Sequence, residues 1–463
     1  MVEARGGRPD APDGAENGHD GSVAAITQRL DALPVTRLHL AILAVSTLGL
    51  FADIAEVALS NALAAIFLAP PHNLPRGSLS LLLASVFAGG AVGAPVFGLL
   101  GDRLGRKRAL QASLVLMAIG SLAAALSTGL TALTVARAVS GFAIGGFPPL
   151  VATLLAEVMP PRRRGAMLMV CAGIGFLGGS AVILLVQTLG PAAPLGVEAW
   201  RWALILGAGL AALAAALFAL LPESPRWLAA AGRPVEAREA CRRFTNSARS
   251  RPAAPAGEPP TPPKVRAPAD EPPARRRIAL FIALYALAPW ATLGFPLLSA
   301  VVLLEKGFKV EQSLVFAALS LLGPPVGTLL TAMVVDRLER RASLAVLAGT
   351  MAGVGTAFAA TTGFVSLVLL GIAFNTAAAI YGAILSIYAT ELLPTRRRAS
   401  ILTCAWAGGR IASALAPFVL LPALTAYGPH GMFAVITAVL VASAALLIGG
   451  PRGLSGQPVA HTP

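Results

Sequence analysis

The sequence predicts an all-α polytopic membrane protein, with twelve transmembrane helices arranged as two pseudo-symmetric six-helix halves. Three observations carry this prediction: a composition too apolar for water, apolar runs of spanning length, and charged motifs that recur at a fixed offset. Of 463 residues, 56% are hydrophobic and 13% charged, whereas a soluble domain carries about 25% charged residues. Apolar runs occupy 38–68, 79–100, 109–126, 131–157, 165–189, 200–221, 278–304, 313–335, 342–361, 364–393, 399–424 and 428–449. Each approaches or exceeds the roughly 20 residues that cross a bilayer. The recurrence is in the loops. Gly101–Arg108 reads GDRLGRKR and Asp336–Arg341 reads DRLERR, while Glu157-x-x-Pro160-x-Arg162-Arg163-Arg164 returns as Glu391-x-x-Pro394-x-Arg396-Arg397-Arg398. Both pairs are 234 residues apart (336 − 102 and 391 − 157), so two homologous halves follow one another in the chain.

Residues 1–37 form a polar tail with no apolar core, read as disordered and cytoplasmic and not as a cleaved signal. The N-terminal half then occupies 38–221. Residues 222–277 are a cytoplasmic linker that opens with PESPRWL (Pro222–Leu228) and continues as an amphipathic helix near Val235–Phe244. It ends in a stretch with nine prolines between Pro252 and Pro273, a composition that supplies reach rather than packing. The C-terminal half occupies 278–449, and 450–463 is a second cytoplasmic tail.

The net charge of +14 does not indicate nucleic acid, because its distribution is topological. With both termini inside, thirty of the 36 Lys and Arg lie on cytoplasmic segments. Four lie outside (Arg76, Arg201, Lys306, Lys309) and two within spans (Arg137, Arg410). This is the positive-inside pattern of a multi-pass protein of the cell membrane, or inner membrane in a Gram-negative bacterium. Cys171, Cys241 and Cys404 have no paired spacing, the five histidines form no metal constellation, and no GxxxxGK[ST] loop occurs. No metal, cofactor or nucleotide-driven chemistry is expected, nor an enzyme.

The functional reading centres on Phe51–Leu59, FADIAEVAL, inside the first span. Asp53 and Glu56 are three residues apart and share a helix face. Each carboxylate near mid-bilayer costs about 2.5–3.5 kcal/mol on insertion scales, so a helix that only spans would not carry two. A proton-coupling role is expected. Arg137 and Arg410 bring the intramembrane charge to zero, and each can either clamp a substrate carboxylate or pair with the acids. None of the four recurs at the 234-residue offset, which meets Leu287, Trp290, Gly371 and Phe176 instead. Scaffold roles would recur in both halves; chemical ones need not. Trp290 and Tyr381 are the aromatic substrate-binding candidates, with Gln187, Tyr285, Asn375 and Tyr388 as further cavity candidates. The glycines Gly89, Gly90 and Gly93 in the second run and Gly173, Gly175, Gly178 and Gly179 in the fifth read as close-packing positions.

The six-plus-six repeat, the GDRLGRKR loop and the long central linker resemble the major facilitator superfamily. PESPRWL and Arg137-x-x-x-Gly141-x-x-x-Gly145-Gly146 resemble its sugar-porter and organic-ion branches. Tyr388-x-x-Glu391-x-x-Pro394, Arg410-Ile411 and Pro417 are similar to the synaptic-vesicle-protein-like and organic-ion transporters. The paired acids resemble those of aromatic-acid:proton symporters. The resemblance implies a cytoplasmic gate at Asp102, Arg103, Arg106, Glu157, Arg164, Asp336, Arg337, Glu391 and Arg398. In the second copy Gly98, Gly101 and Gly105 become Ala332, Val335 and Glu339, so its gate is expected to pack differently. The expected function is proton-coupled symport of a small organic acid, aromatic acids included, by alternating access, in a monomer whose partners are substrate, protons and lipid. An organic-cation or drug antiporter and a non-transporting receptor on the same scaffold are the alternatives.

Overall fold

The computed structural model describes residues 28–160, 163–190, 192, 194–248, 274–334, 339–392 and 398–451, and no strand occurs among them. The first half is built from α1 (Arg37–Leu68), α2 (Arg76–Leu104), α3 (Arg106–Ala125), α4 (Leu130–Val158), α5 (Arg164–Leu189) and α6 (Ala199–Leu220). Two shorter helices follow, α7 (Pro225–Ala230) and α8 (Pro234–Ala248). The second half comprises α9 (Ala274–Thr292), α10 (Gly294–Glu305), α11 (Val310–Ser320), α12 (Gly323–Val334), α13 (Arg340–Ala360), α14 (Phe364–Leu392) and α15 (Arg398–Ile448). Proline-rich 252–273, Asp336, Arg337, residues 1–27 and residues 452–463 lie outside the described set.

Eleven continuous stretches among the described residues are long and apolar enough to cross a membrane. The last, Ala405–Ile448, has 44 residues and would be about 66 Å long if straight, twice a hydrocarbon core. It is not straight, because Gly428 takes φ 64°, ψ −164°, a conformation that glycine adopts without a Cβ clash. The corner separates the eleventh and twelfth spans. Two other spans are interrupted. Arg275–Glu305 breaks at Leu293 between α9 and α10, and Val310–Thr331 breaks before Gly323-Pro324-Pro325 between α11 and α12. Prolines explain the second break, since they remove a backbone donor and crowd the preceding turn.

Close helix contact is set by small residues. A Cβ on Gly93 of α2 would lie 1.8 Å from the Phe142 carbonyl oxygen of α4, and one on Gly141 would lie 2.1 Å from that of Val86. The two backbones therefore touch, and nothing larger than glycine fits.

The end of the bundle that carries Arg103–Arg108, Arg164, α7 and α8 is called the basic face below. Here the sequence reading of 1–37 as a tail needs correction. Leu30 is 1% exposed, and the Asp31 carboxylate pairs with Arg226 at the start of α7. One leucine and one acid suffice to dock residues 28–36 on an apolar, cationic floor. Thr36 caps α1 in a reciprocal box with His39, and the other His39 ring nitrogen lies 3.0 Å from the Val158 carbonyl of α4. The linker helix foreseen near Val235–Phe244 is α8. It buries Ala237, Ala240, Cys241 and Phe244, with the Phe244 ring 4.8 Å from that of His39.

The apolar core forms two clusters. One cluster spans both halves, joining Leu59, Leu63, Phe67, Leu83 and Phe87 to Phe295, Leu298, Phe316 and Phe433. The other contains only N-terminal residues, from Leu30 to Phe244, and lies toward the basic face. The cluster shared by the halves thus joins α1 and α2 to the C-terminal half on the side away from the basic face, and α5 also meets α12 where Gly173 faces Leu329 and the Pro325 carbonyl.

Docking of α8 is open to a chemical test. Cys241 is 5% exposed, and burial pushes its thiol above the ordinary value. Less thiolate and less access both slow alkylation at neutral pH. Phe244→Ala should raise maleimide labelling of Cys241 several-fold, read by peptide mass; an unchanged rate would mean that α8 does not hold to the bundle through this contact.

Candidate functional site

Asp53 and Glu56 are both buried on α1, at 2% and 4% exposure, yet their surroundings differ completely. One Glu56 carboxylate oxygen accepts from Arg137 of α4 in a buried ion pair. The other accepts from the Ser121 hydroxyl of α3 at 2.9 Å. Arg137 also donates to the Glu56 carbonyl at 3.0 Å and to the Ser60 hydroxyl at 2.6 Å. Three helices of one half thereby close a network in which both charges are answered.

Asp53 has no such shell. Its Oδ1 is buried with no hydrogen-bond partner, and no ion pair reaches it among the described residues. Its principal charged neighbour is Arg410 of the opposite half, followed by Glu56. Arg410 sits on α15 at 9% exposure. Its stem lies against Gly90 of α2, and its guanidinium stands 5.3 Å over the Trp406 ring. No hydrogen bond to Arg410 occurs among the described residues. A guanidinium offers five N–H donors in a fixed fork, so a buried fork without a carboxylate has the chemistry to accept an anion. The Trp406 indole N–H beside it is also buried and unpartnered.

The structure thus separates the two arginines that the sequence leaves equivalent: Arg137 is consumed by Glu56, and Arg410 is available. Tyr381 does not join them. It is 1% exposed inside the C-terminal half, with its hydroxyl toward Ser443 of the last span but without a closed hydrogen bond. Trp290 is half-buried on α9, three residues before the Leu293 break, and packs on the C-terminal core. Of the further aromatics, Tyr285 approaches Ser386 at 3.5 Å and Tyr388 donates to the Pro451 carbonyl at 2.5 Å. Asn375 donates to the Ser320 carbonyl at 3.2 Å.

At the basic face, Arg106 joins Asp102 at 2.5 Å to Glu157 at 3.0 Å, and the Trp227 indole donates to the Asp102 carbonyl at 2.9 Å. Arg164 reaches the Met159 carbonyl at 3.4 Å and lies 3.9 Å from Asp31; Arg103 is exposed. None of these contacts reaches the C-terminal half. The backbones of Glu391 and Arg398 are helical, and their side chains lie outside the described set.

PESPRWL proves to be part of this cluster. Glu223 accepts the Lys107 amide at 3.0 and 3.2 Å and so caps α3. Gly105, at φ 106°, is required beside it, because a Cβ there would meet Glu223 Oε2 at 2.2 Å. In the second copy, Glu339 stands at the Gly105 position and caps α13 itself, accepting from Arg341 and Ala342 at 3.3 and 2.5 Å. The helix start receives a carboxylate in both copies, once from the linker and once locally.

The face of α1 toward the C-terminal half shows which side of the bundle is open. Near its far end, Ala58 and Asn61 meet α5, α10 and Leu321. Nearer the basic face, Leu40, Leu43, Ala44, Leu48 and Phe51 of the same helix line an open apolar groove with Val170 and Ile174 of α5. The contacts of α1 with the C-terminal half therefore gather away from the basic face, and toward that face the groove between α1 and α5 is open.

The family profile described as Major Facilitator Superfamily matches residues 45–417. The chain belongs to the major facilitator superfamily. It is a membrane transporter and not an enzyme. Relatives in this superfamily include the putative metabolite transport protein YyaJ of Bacillus subtilis, 28% identical over 86% of this chain and 88% of that protein. The niacin transporter NiaP of Acinetobacter baylyi is 26% identical over 91% and 96%. An arabinose-proton symporter of B. subtilis is 34% identical over 46% of this chain and 47% of its own length. The partially occluded inward-open xylose transporter XylE of E. coli superimposes with TM-score 0.71 at 18% identity, covering 91% of this chain and 99% of that one. At that identity the likeness speaks for the fold.

The unequal shells give the two acids different costs on removal. Arg137→Ala leaves Glu56 buried and unpaired, and should lower stability by about 3–5 kcal/mol in ligand-free thermal unfolding. Adding Glu56→Gln should restore most of that loss, whereas Asp53→Asn alone should stay within about 1 kcal/mol of the parent. Equal losses at Asp53 and Glu56 would contradict this assignment.

Proposed function

We propose that the chain is a proton-coupled symporter that imports a small organic acid by alternating access, aromatic acids included. The observation that carries this reading is the buried, unpartnered Arg410 fork facing Asp53 across the interface between the halves. The substrate carboxylate docks on Arg410, Asp53 takes the proton, and the Glu56–Arg137 network holds α1 in register. A monomer in the cell membrane with both termini cytoplasmic is the matching topology, supported by the concentration of Lys and Arg on one face. The bundle is then open to the cytoplasm, and the Asp102–Arg106–Glu157 cluster is half of a gate that re-forms when that side closes.

Electrostatics explains why the two fluxes would be tied together. An empty site with ionised Asp53 and Arg410 has zero net charge. A site with protonated Asp53, Arg410 and a bound carboxylate has zero as well. Proton alone leaves +1, and the anion alone leaves −1, and an uncompensated buried charge is expensive to occlude. Only the empty and fully loaded sites cross easily, so substrate and proton travel together. The niacin transporter among the relatives supports an acid of this kind, since niacin is a planar pyridine carboxylic acid that suits a guanidinium beside an indole ring. The arabinose-proton symporter favours a sugar as the second reading, although a neutral sugar would leave Arg410 without a counter-ion.

Reconstitution into liposomes with an imposed pH gradient, using pyridine-3-carboxylate, benzoate, arabinose and a quaternary ammonium as separate probes, tests the proposal. Asp53→Asn should abolish gradient-driven accumulation of the acid while sparing counterflow exchange. Arg410→Lys keeps the charge but loses the fork, and should raise KM for the acid by about tenfold or more. Normal accumulation by Asp53→Asn, or uptake of the neutral or cationic probe alone, would overturn it.

A further inference from the structure

We infer that Asn61 is a positioning residue for transport, a latch that holds the outer side closed by binding the backbone of the broken seventh span. Asn61 lies on α1, two turns beyond Asp53, and is 1% exposed. Its amide group donates to the Pro296 carbonyl and, at 2.8 Å, to the Ser299 hydroxyl. Its carbonyl oxygen accepts from the Ala300 amide at 3.3 Å. Pro296 C=O and Ala300 N–H are the two groups that a regular helix joins to each other, four residues apart. One side-chain amide, carrying a donor and an acceptor, thus engages both ends of a peptide hydrogen-bond pair in the opposite half.

The partner is suited to being held and released. α10 has only 12 residues and is separated from α9 by the break at Leu293, so it can swing as a unit. On release, α10 keeps the hydrogen-bonding partners of its own helix, and entering water takes over those of Asn61. The latch therefore opens without leaving a buried group unsatisfied on either side. The other polar contacts across the halves are weaker anchors. Arg76 meets Glu305 at 2.5 Å, but with side chains 40% and 30% exposed, where ion pairs contribute little. The Ser80 hydroxyl makes a single contact to the Pro417 carbonyl at 3.2 Å.

Asp53, Glu56 and Asn61 share one unbroken helix. A tilt of α1 driven at the Asp53 site is delivered about 12 Å away at Asn61, where it determines whether α10 is held. The inference rests on the closed outer side and not on the identity of the substrate, so it can fail or stand independently of the acid-symport reading.

The test is access from the outer side. Leu303, one turn beyond Ser299 on α10, is fully buried. Leu303→Cys in membrane vesicles of defined orientation reports opening through its labelling rate with a membrane-impermeant thiosulfonate. In that background, Asn61→Ala should label about tenfold faster, the population shift expected when the closed state loses a buried hydrogen-bonded group. Asn61→Asp is the near-isosteric check and is informative even if the alanine variant does not fold. Its neutral acid can donate to Pro296 and accept from Ala300 as the amide does, whereas its carboxylate cannot donate. Labelling of Asn61→Asp should match the parent near pH 4.5 and exceed it near pH 8, with the parent measured at both pH values. Parent-like labelling of Asn61→Asp at both pH values would overturn the latch, as would an unchanged rate in folded Asn61→Ala.

Discussion

The Glu56–Arg137 pair is the constraint on which the arrangement of this bundle depends. Two opposite charges in a low-dielectric interior are tolerable only when geometry is good and the remaining hydrogen-bonding capacity is used. Here Ser121, Ser60 and the Glu56 carbonyl use it, so α1, α3 and α4 are tied beyond mid-depth, away from the basic face, in one half. With that tie in place α1 has a fixed rotation, which aims Asp53 toward Arg410 and Asn61 toward α10. The same residue types therefore do different work according to their shells. The satisfied pair is built as scaffold, and the unsatisfied pair, divided between the two halves, is the candidate site.

Much of this was legible in the sequence, and the boundary of legibility is physical. Span positions, the repeat and the basic face follow from hydropathy and from charge in loops, which are local properties. The identification of Asp53, Glu56, Arg137 and Arg410 as the exceptional residues follows from the cost of charge in hydrocarbon. Which arginine answers which acid does not follow, because that depends on helix rotation and on hydroxyls such as Ser121 and Ser60 that look ordinary in an apolar run. Tyr381 shows the same limit from the other side. Its mid-span depth is right, but its azimuth turns it toward Ser443 of the last span. Asn61 carried a usable signal, a carboxamide five residues beyond Glu56 in an otherwise apolar stretch. Its partners are backbone atoms, and sequence does not advertise those.

The two copies of the loop motif show how divergence can hide equivalence. Replacing Gly105 by Glu339 at the corresponding position reads as the loss of a tight turn. Both helices nonetheless start under a carboxylate, supplied by Glu223 of PESPRWL in the first half and by Glu339 in the second. The linker that opens with that motif is consequently welded to the N-terminal half at its start. The interrupted spans, by contrast, fall in the C-terminal half. The first copy holds the closed Glu56–Arg137 network, and the second holds the breaks at which helix segments can pivot.

The position of the packing shared between α1 and the C-terminal half has a mechanical consequence. A transporter of this superfamily whose halves are held more tightly toward one leaflet would present a wedge, with a larger footprint in the leaflet beside the basic face. Reversing the access side must shrink the footprint there and enlarge it in the opposite leaflet. Under alternating access, one half-cycle would therefore work against the difference in lateral pressure between the two monolayers, and the return half-cycle would recover it. Lipids that crowd one leaflet would bias the resting orientation without touching any residue of the site, and the bilayer itself becomes a spring in series with the transporter.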